Sequence, residues 1–107
     1  MTEISIRFTP AMEDLIIAGK KICTTRLERK GAVGDIFVVR GLVYRIVEIR
    51  SYSLDYIATN FYRLEGFSSR DEFIRFWVSI AGYPSFWDSK NVSFAVHFFT
   101  LVGFCEV

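Results

Sequence analysis

The densest run of chemically capable side chains is Gly19-Lys20-Lys21-Ile22-Cys23-Thr24-Thr25-Arg26. Its β-branched content favours an extended strand, in which alternate side chains share a face. That parity groups Ile22, Thr24 and Arg26 and turns Cys23 and Thr25 to the opposite side, with Cys23 read as core. Lys21 falls at a helix-to-strand junction, where its long stem can swing back over Thr24. A lysine kept neutral by desolvation or by a neighbouring cation is a suitable base for a weak hydroxyl nucleophile. On spacing alone, however, the run reads first as a solvated basic hairpin.

The remaining candidates carry less. His97 is the only histidine and lies among Phe and Val, so it reads as a sheet residue or cleft-rim contact. Cys23, Cys105 and His97 share no ligand spacing, so a metal is not expected; no cofactor is expected either. Phe73, Phe76 and Trp77 recur at helical spacing and read as core. Tyr83, Phe86 and Trp87 sit beside Pro84 in an expected loop, where an exposed ring would stack on a nucleobase. Arg29, Lys30, Arg40 and Arg45 could track a phosphate backbone or simply be solvated surface.

Positioning these residues requires a framework. Ile4, Ile6 and Phe8 alternate with polar residues as in a half-buried strand. Thr9-Pro10 is an N-cap followed by proline at the first helical position, and Gly19 stops that short helix. Strands follow at 20–26, 36–39 and 42–49, the last two joined tightly through Arg40-Gly41. Ser53 caps a helix over about 54–63, and Ser69 with Glu72 has the spacing of a capping box for another. That second helix is expected to stop at Gly82, with Pro84 beyond it. The tail from Asn91 is almost wholly apolar or β-branched and predicts one long or two short buried strands. The order βαβββααββ predicts one α+β domain over 1–107. Its sheet is a small, curved, mostly antiparallel barrel of five to six strands with two to three short helices, the first and last strands meeting.

Composition narrows the class. Of 107 residues, 51% are hydrophobic and 17% aromatic, which excludes intrinsic disorder. A chain of this size buries about 65% of its unfolded surface, enough for one core. Formal net charge is only +1, yet eight Lys and Arg between Lys20 and Arg50 face three acids, a local excess that suits an anionic ligand. No apolar run approaches the ~20 residues of a membrane span, and the N-terminus has no signal-peptide core. A cytoplasmic protein with reduced thiols and no membrane partner is expected.

Gly-x-Lys-x-x-Thr-x-Arg, here Gly19, Lys21, Thr24 and Arg26, resembles the signature of the ASCH domain superfamily, whose fold is PUA-like. Val33-Gly34-Asp35 is similar to that family's strand-initiating turn. Leu64-Glu65-Gly66-Phe67-Ser68-Ser69 followed by Glu72-Phe73 is similar to its glutamate-glycine-phenylalanine segment. The aromatic stretch from Phe94 to Phe99 is similar to its closing strand. The resemblance implies a cleft between barrel and helices that takes RNA or a modified pyrimidine nucleoside. A small bacterial branch hydrolyses N4-acetylcytidine with a lysine, a threonine and a glutamate, onto which Lys21, Thr24 and Glu65 map. In that scheme Lys21 takes the proton of Thr24, Thr24 attacks the amide carbonyl, and Glu65 relays a proton to the leaving amine. Arg26 would hold a phosphate, the substrate carbonyl or Glu65; Gly19, Lys20, Arg29, Lys30, Tyr83 and Trp87 are the further expected contacts. Glu65 is also read as a salt bridge to Lys21 or Arg26 that fixes its loop. The alternative function is a non-catalytic RNA-binding module using the same cleft, and a third is a scaffold that binds protein.

Overall fold

Thr9 accepts the Met12 N–H at 3.2 Å and starts α1 (Pro10–Ile17). Gly19, at φ 77°, ends it. The Gly19 N–H reaches the Ile16 carbonyl at 3.0 Å and the Lys20 N–H reaches that of Leu15 at 2.9 Å, a Schellman closure that needs a left-handed residue at Gly19. The chain emerges directly into β1 (Cys23–Arg26), followed by β2 (Ile36–Val39) and β3 (Leu42–Ser53). Then come α2 (Leu54–Asn60), α3 (Arg70–Ser79), α4 (Phe86–Ser89) and β4 (Ser93–Phe104). This computed structural model describes residues 2–80 and 85–105. The expected stop at Gly82 and Pro84 lies outside the described residues. Ser53 and Ser69 cap as expected, accepting the N–H groups of Tyr56 and Glu72, both at 3.1 Å, while the Glu72 carboxylate accepts from the Ser68 hydroxyl in place of the reciprocal half of a capping box.

The sheet is antiparallel throughout, in the order β1-β4-β3-β2. Among the described residues it has four strands rather than five or six, and there are four helices rather than two or three. The N-terminal segment accounts for part of the difference. Its pairing is limited to one parallel bridge, Glu3 with Ile36, and its apolar residues pack onto the core without extending a ladder. The expected meeting of first and last strands is therefore replaced by β1 against β4, Cys23 opposite Phe98 through Arg26 opposite Ala95. The tail is one long strand, but it is not buried throughout. Only Ala95 to Phe98 pair with β1, and beyond them Leu101, Val102 and Phe104 are exposed.

The β2–β3 hairpin turns through Arg40 (φ 48°) and Gly41 (φ 82°), the two positive angles that match strand twist in a two-residue loop. Arginine is a strained choice there, and its head group is tied down by α1. Nη1 reaches Asp14 at 2.6 Å, Nε reaches Glu13 at 3.2 Å, and Nη2 reaches the Pro10 carbonyl at 3.0 Å. Arg40 is thus a clamp between hairpin and helix.

Two register shifts, one that leaves Val102 of β4 as the extra residue opposite Val43/Tyr44 and one that leaves Val47 of β3 as the extra residue between Ile46 and Glu48, curl the sheet into a half-barrel. The second shift changes parity, so that Ile46 and Ile49 face the same side. Phe37, Tyr44, Ile46 and Phe99 fill that face, where Phe37 and Phe99 meet edge-to-face at 5.1 Å. Cys23, Phe94 and Val96 occupy the other face and pack beneath Leu54, Ile57, Phe73 and Trp77 of α2 and α3. The two clusters lie on opposite faces of one sheet, and the site lies beside its edge strand, β1.

Candidate functional site

Three alternate residues of one extended segment, Lys21, Cys23 and Thr25, converge on the Glu65 carboxylate. Lys21 Nζ donates to Oε1 at 2.6 Å, and Thr25 Oγ1 donates to Oε2 at 2.6 Å. Cys23 Sγ approaches Oε2 at 3.7 Å. The backbone enforces the meeting: the Ile22 N–H bonds the Leu64 carbonyl at 2.8 Å, and Lys21 and Glu65 form an antiparallel bridge. Gly66 turns the chain away at φ 97°, and a Cβ there would stand 2.9 Å from Leu15 Cδ1. Glu65 can thus enter the interior only because its successor has no side chain.

The pair is nearly dry, with both side chains 4% exposed. Removing two charges from water is costly, and the contact offsets that cost only if the remaining valences are satisfied. Thr25 supplies that satisfaction on Oε2. Burial first, and then the Glu65 charge, push the Cys23 thiol far above its ordinary pKa, while Lys21 opposes. Cys23 is therefore a neutral thiol with no nucleophilic character.

A cavity of about 330 Å³ opens over this floor. Lys21, Thr24, Thr25, Arg26 and Glu65 supply its polar side, and Phe67, Phe73, Phe76 and Trp77 its apolar side. Ligand pockets span about 300 to 1,000 Å³, so this one suits a single small molecule with a flat apolar portion. Thr24 and Thr25 point to opposite faces of β1, yet both border the cavity because β1 is the sheet edge. Thr24 Oγ1 accepts from Arg26 Nε at 3.2 Å. Arg26 also donates Nη2 to the Arg7 carbonyl at 2.7 Å and lies 5.1 Å above the Phe8 ring. The expected contact of Arg26 with Glu65 is not made; the salt bridge of Glu65 is to Lys21.

His97 stands behind Thr24, fully buried in β4. Its Nε2 accepts the Lys30 N–H at 2.8 Å, which leaves the proton on Nδ1, 3.3 Å from the Thr24 carbonyl. Burial, which is the largest cause, and the charges of Arg26 and Arg29 hold its pKa below the ordinary value. The residue is a neutral brace between β1 and the following loop.

The other expected contacts scatter. Gly19 serves the α1 terminus, and Lys20 is exposed. Arg29 and Lys30 are exposed outside the cavity lining, Arg29 Nε bonding the Gly31 carbonyl at 3.3 Å. Trp87 is 64% exposed, one residue from buried Phe86, and does not line the cavity. Tyr83 lies outside the described residues. Sequence reasoning missed Thr25 as a partner of Glu65, although Lys21, Cys23 and Thr25 carry the same strand parity. It also read Phe73, Phe76 and Trp77 as core alone, whereas they are both core and cavity wall. Among the described residues no group of His, Cys, Asp and Glu is arranged to hold a metal ion, and no helix is long and apolar enough to cross a membrane.

The fold and the edge-strand cavity define a class of structure. The chain matches the ASCH domain from Lactobacillus crispatus with TM-score 0.64 and 15% identity, over 95% of this chain and 79% of that one. It matches the hypothetical protein PH0355 with TM-score 0.66 and 21% identity, over 94% and 98% of the two chains. A third match, protein EF3133 of Enterococcus faecalis, assigned to DUF984, gives TM-score 0.62 and 17% identity over 96% and 76%. No family model and no curated protein matches the sequence. The chain therefore has the fold of an ASCH domain, a PUA-like architecture.

Proposed function

We propose that this protein is a single ASCH domain that binds a modified pyrimidine nucleoside and hydrolyses its N4-acyl amide. The observation that carries the reading is the buried Lys21–Glu65 pair, 2.6 Å apart, on the polar side of a cavity otherwise walled by aromatic rings. Such a cavity stacks a flat base and leaves its exocyclic amide against proton-transferring groups. Lys21 passes its proton to Glu65 and accepts that of Thr24. Thr24 Oγ1 attacks the acyl carbonyl, and the C–N bond breaks as Glu65 protonates the departing amine. Water then cleaves the threonyl ester, releasing the acid and restoring the hydroxyl. Arg26 Nε, already on Thr24 Oγ1 at 3.2 Å, stabilises the negative charge that develops there.

The test is release of cytidine from N4-acetylcytidine by the purified protein. Thr24→Ala and Lys21→Ala are expected to abolish it by at least about a hundredfold, the scale of a general base. Absence of turnover by folded wild-type protein between pH 6 and 9 sinks this substrate. A second reading, a non-catalytic RNA-binding module, is favoured by the exposure of Lys20, Arg29 and Lys30 on one stretch beside the site. It predicts salt-sensitive RNA affinity that survives Thr24→Ala and falls with Arg29→Gln.

A further inference from the structure

The charges that border the cavity do not balance. Arg7, Lys21 and Arg26 line it together with one acid, Glu65. Glu65 is consumed by Lys21 at 2.6 Å and by the Thr25 hydroxyl, so it neutralises neither arginine. The Arg26 guanidinium is tied to the main chain of Arg7, since its Nη2 donates to the Arg7 carbonyl at 2.7 Å. Arg26 is half-buried, its Nε given to Thr24 and its guanidinium plane laid over Phe8. Arg7 is exposed, and no carboxylate pairs with it among the ion pairs of the described residues. Two cations with no counter-charge therefore stand at one mouth, beside Phe8 and Thr9, while the proton-transferring pair and the aromatic wall lie within.

We propose that Arg7, supported by Arg26, forms an anion subsite at the cavity mouth, and that the ligand is a nucleotide carrying a phosphate monoester rather than a bare nucleoside. A base held against the aromatic wall leaves its sugar and any phosphate toward the mouth. There a guanidinium offers paired N–H donors to phosphate oxygens. The cavity volume of about 330 Å³ accommodates one such unit, so the anion is a terminal monoester and not one link of a long strand. This rests on the proposed nucleoside-binding role of the cavity, but not on turnover.

Calorimetric titration of the full chain with cytidine and with cytidine 5′-monophosphate separates the two ideas. At about 50 mM salt the monophosphate should bind roughly tenfold more tightly, a gap that narrows to about twofold at 500 mM as the charges are screened. Arg7→Gln should bring the monophosphate to the affinity of cytidine with an unchanged melting temperature, because Arg7 is exposed. Equal affinities in the wild type, or a gap that survives Arg7→Gln, overturns the subsite, as does the failure of both compounds to bind at millimolar concentration. A cytidine hexanucleotide that outbinds the monophosphate by more than its six-fold count of bases also overturns it, in favour of an RNA track. A preserved gap without hydrolysis of N4-acetylcytidine removes the hydrolase reading and leaves the subsite standing; hydrolysis without a gap does the reverse.

Discussion

Glu65 is the residue on which the candidate site turns, because both of its carboxylate oxygens are committed, Oε1 to Lys21 and Oε2 to Thr25 with the Cys23 thiol as a longer third contact. Removing Lys21 alone strands a buried charge. Lys21→Met is therefore expected to destabilise the fold by about 3–5 kcal/mol, while Lys21→Met combined with Glu65→Leu recovers most of that loss. Urea denaturation of the two single variants and the double variant reads the cycle, and additive losses would show that the pair is not coupled. Thr25→Val should cost about 1–3 kcal/mol by leaving Oε2 only the weak thiol contact of Cys23, whereas Thr25→Ser keeps the hydroxyl and stays near wild type. The residue types of this cluster were legible in the sequence, but its wiring was only partly so. Lys21 and Glu65 lie 44 positions apart, and nothing local reports that distance closing. Strand parity did separate Thr24 from Thr25, and the same parity sets Lys21 on the side of Thr25, whose hydroxyl shares the Glu65 carboxylate with it.

The elements that hold the cluster follow from local chemistry where that chemistry is strong. Thr9-Pro10, Ser53 and Ser69 mark helix starts, and each accepts the N–H that its type predicts. The strand count failed because an alternating pattern at Ile4, Ile6 and Phe8 reports burial, and burial was achieved by packing against β2 without a ladder. The bulge at Ile46/Glu48 left no sequence signal either, since Val47 is an ordinary strand residue and sits exposed. Between elements, His97 is the joint: it ties β4 to β1 and to the loop through Lys30. The charged groups around it are Arg26 and Arg29, both of which disfavour a further cation. Protonation would turn Nε2 into a donor facing the Lys30 N–H, so the folded state holds His97 neutral below its ordinary value of 6.5. The unfolded chain takes up the proton first as pH falls. The stability contributed by this joint is thus complete above about pH 6.5 and is lost progressively below it, through the folded value. Thermal melts of wild type and His97→Gln between pH 7.5 and 5 check this: the wild type should lose stability more steeply, and parallel slopes would remove His97 from the account.

At the scale of the whole molecule, one curled sheet carries two cores that do different work. The face with Phe37, Tyr44, Ile46 and Phe99 holds the hairpin and α1 together and contributes none of these four side chains to the cavity. The face with Met12, Phe67, Phe73 and Trp77 belongs to the α2–α3 core and also walls the cavity. Stability and ligand binding should therefore separate by face. Phe37 and Phe73 are both buried almost completely, so truncating either removes a similar area and leaves a similar void. Each alanine variant should lose about 3–5 kcal/mol, a large share of the roughly 5–15 kcal/mol that keeps a domain folded. At a temperature low enough to keep both variants native, Phe37→Ala should bind cytidine 5′-monophosphate as the wild type does. Phe73→Ala should bind it at least about tenfold more weakly, because it also opens the cavity wall against which the proposed ligand's base would stack. Denaturation curves set the stability loss for each variant, and calorimetry in the same buffer reads the affinity. Equal weakening by both variants would mean that the two cores are one mechanical unit, and that the cavity owes its shape to the entire sheet rather than to the face that borders it.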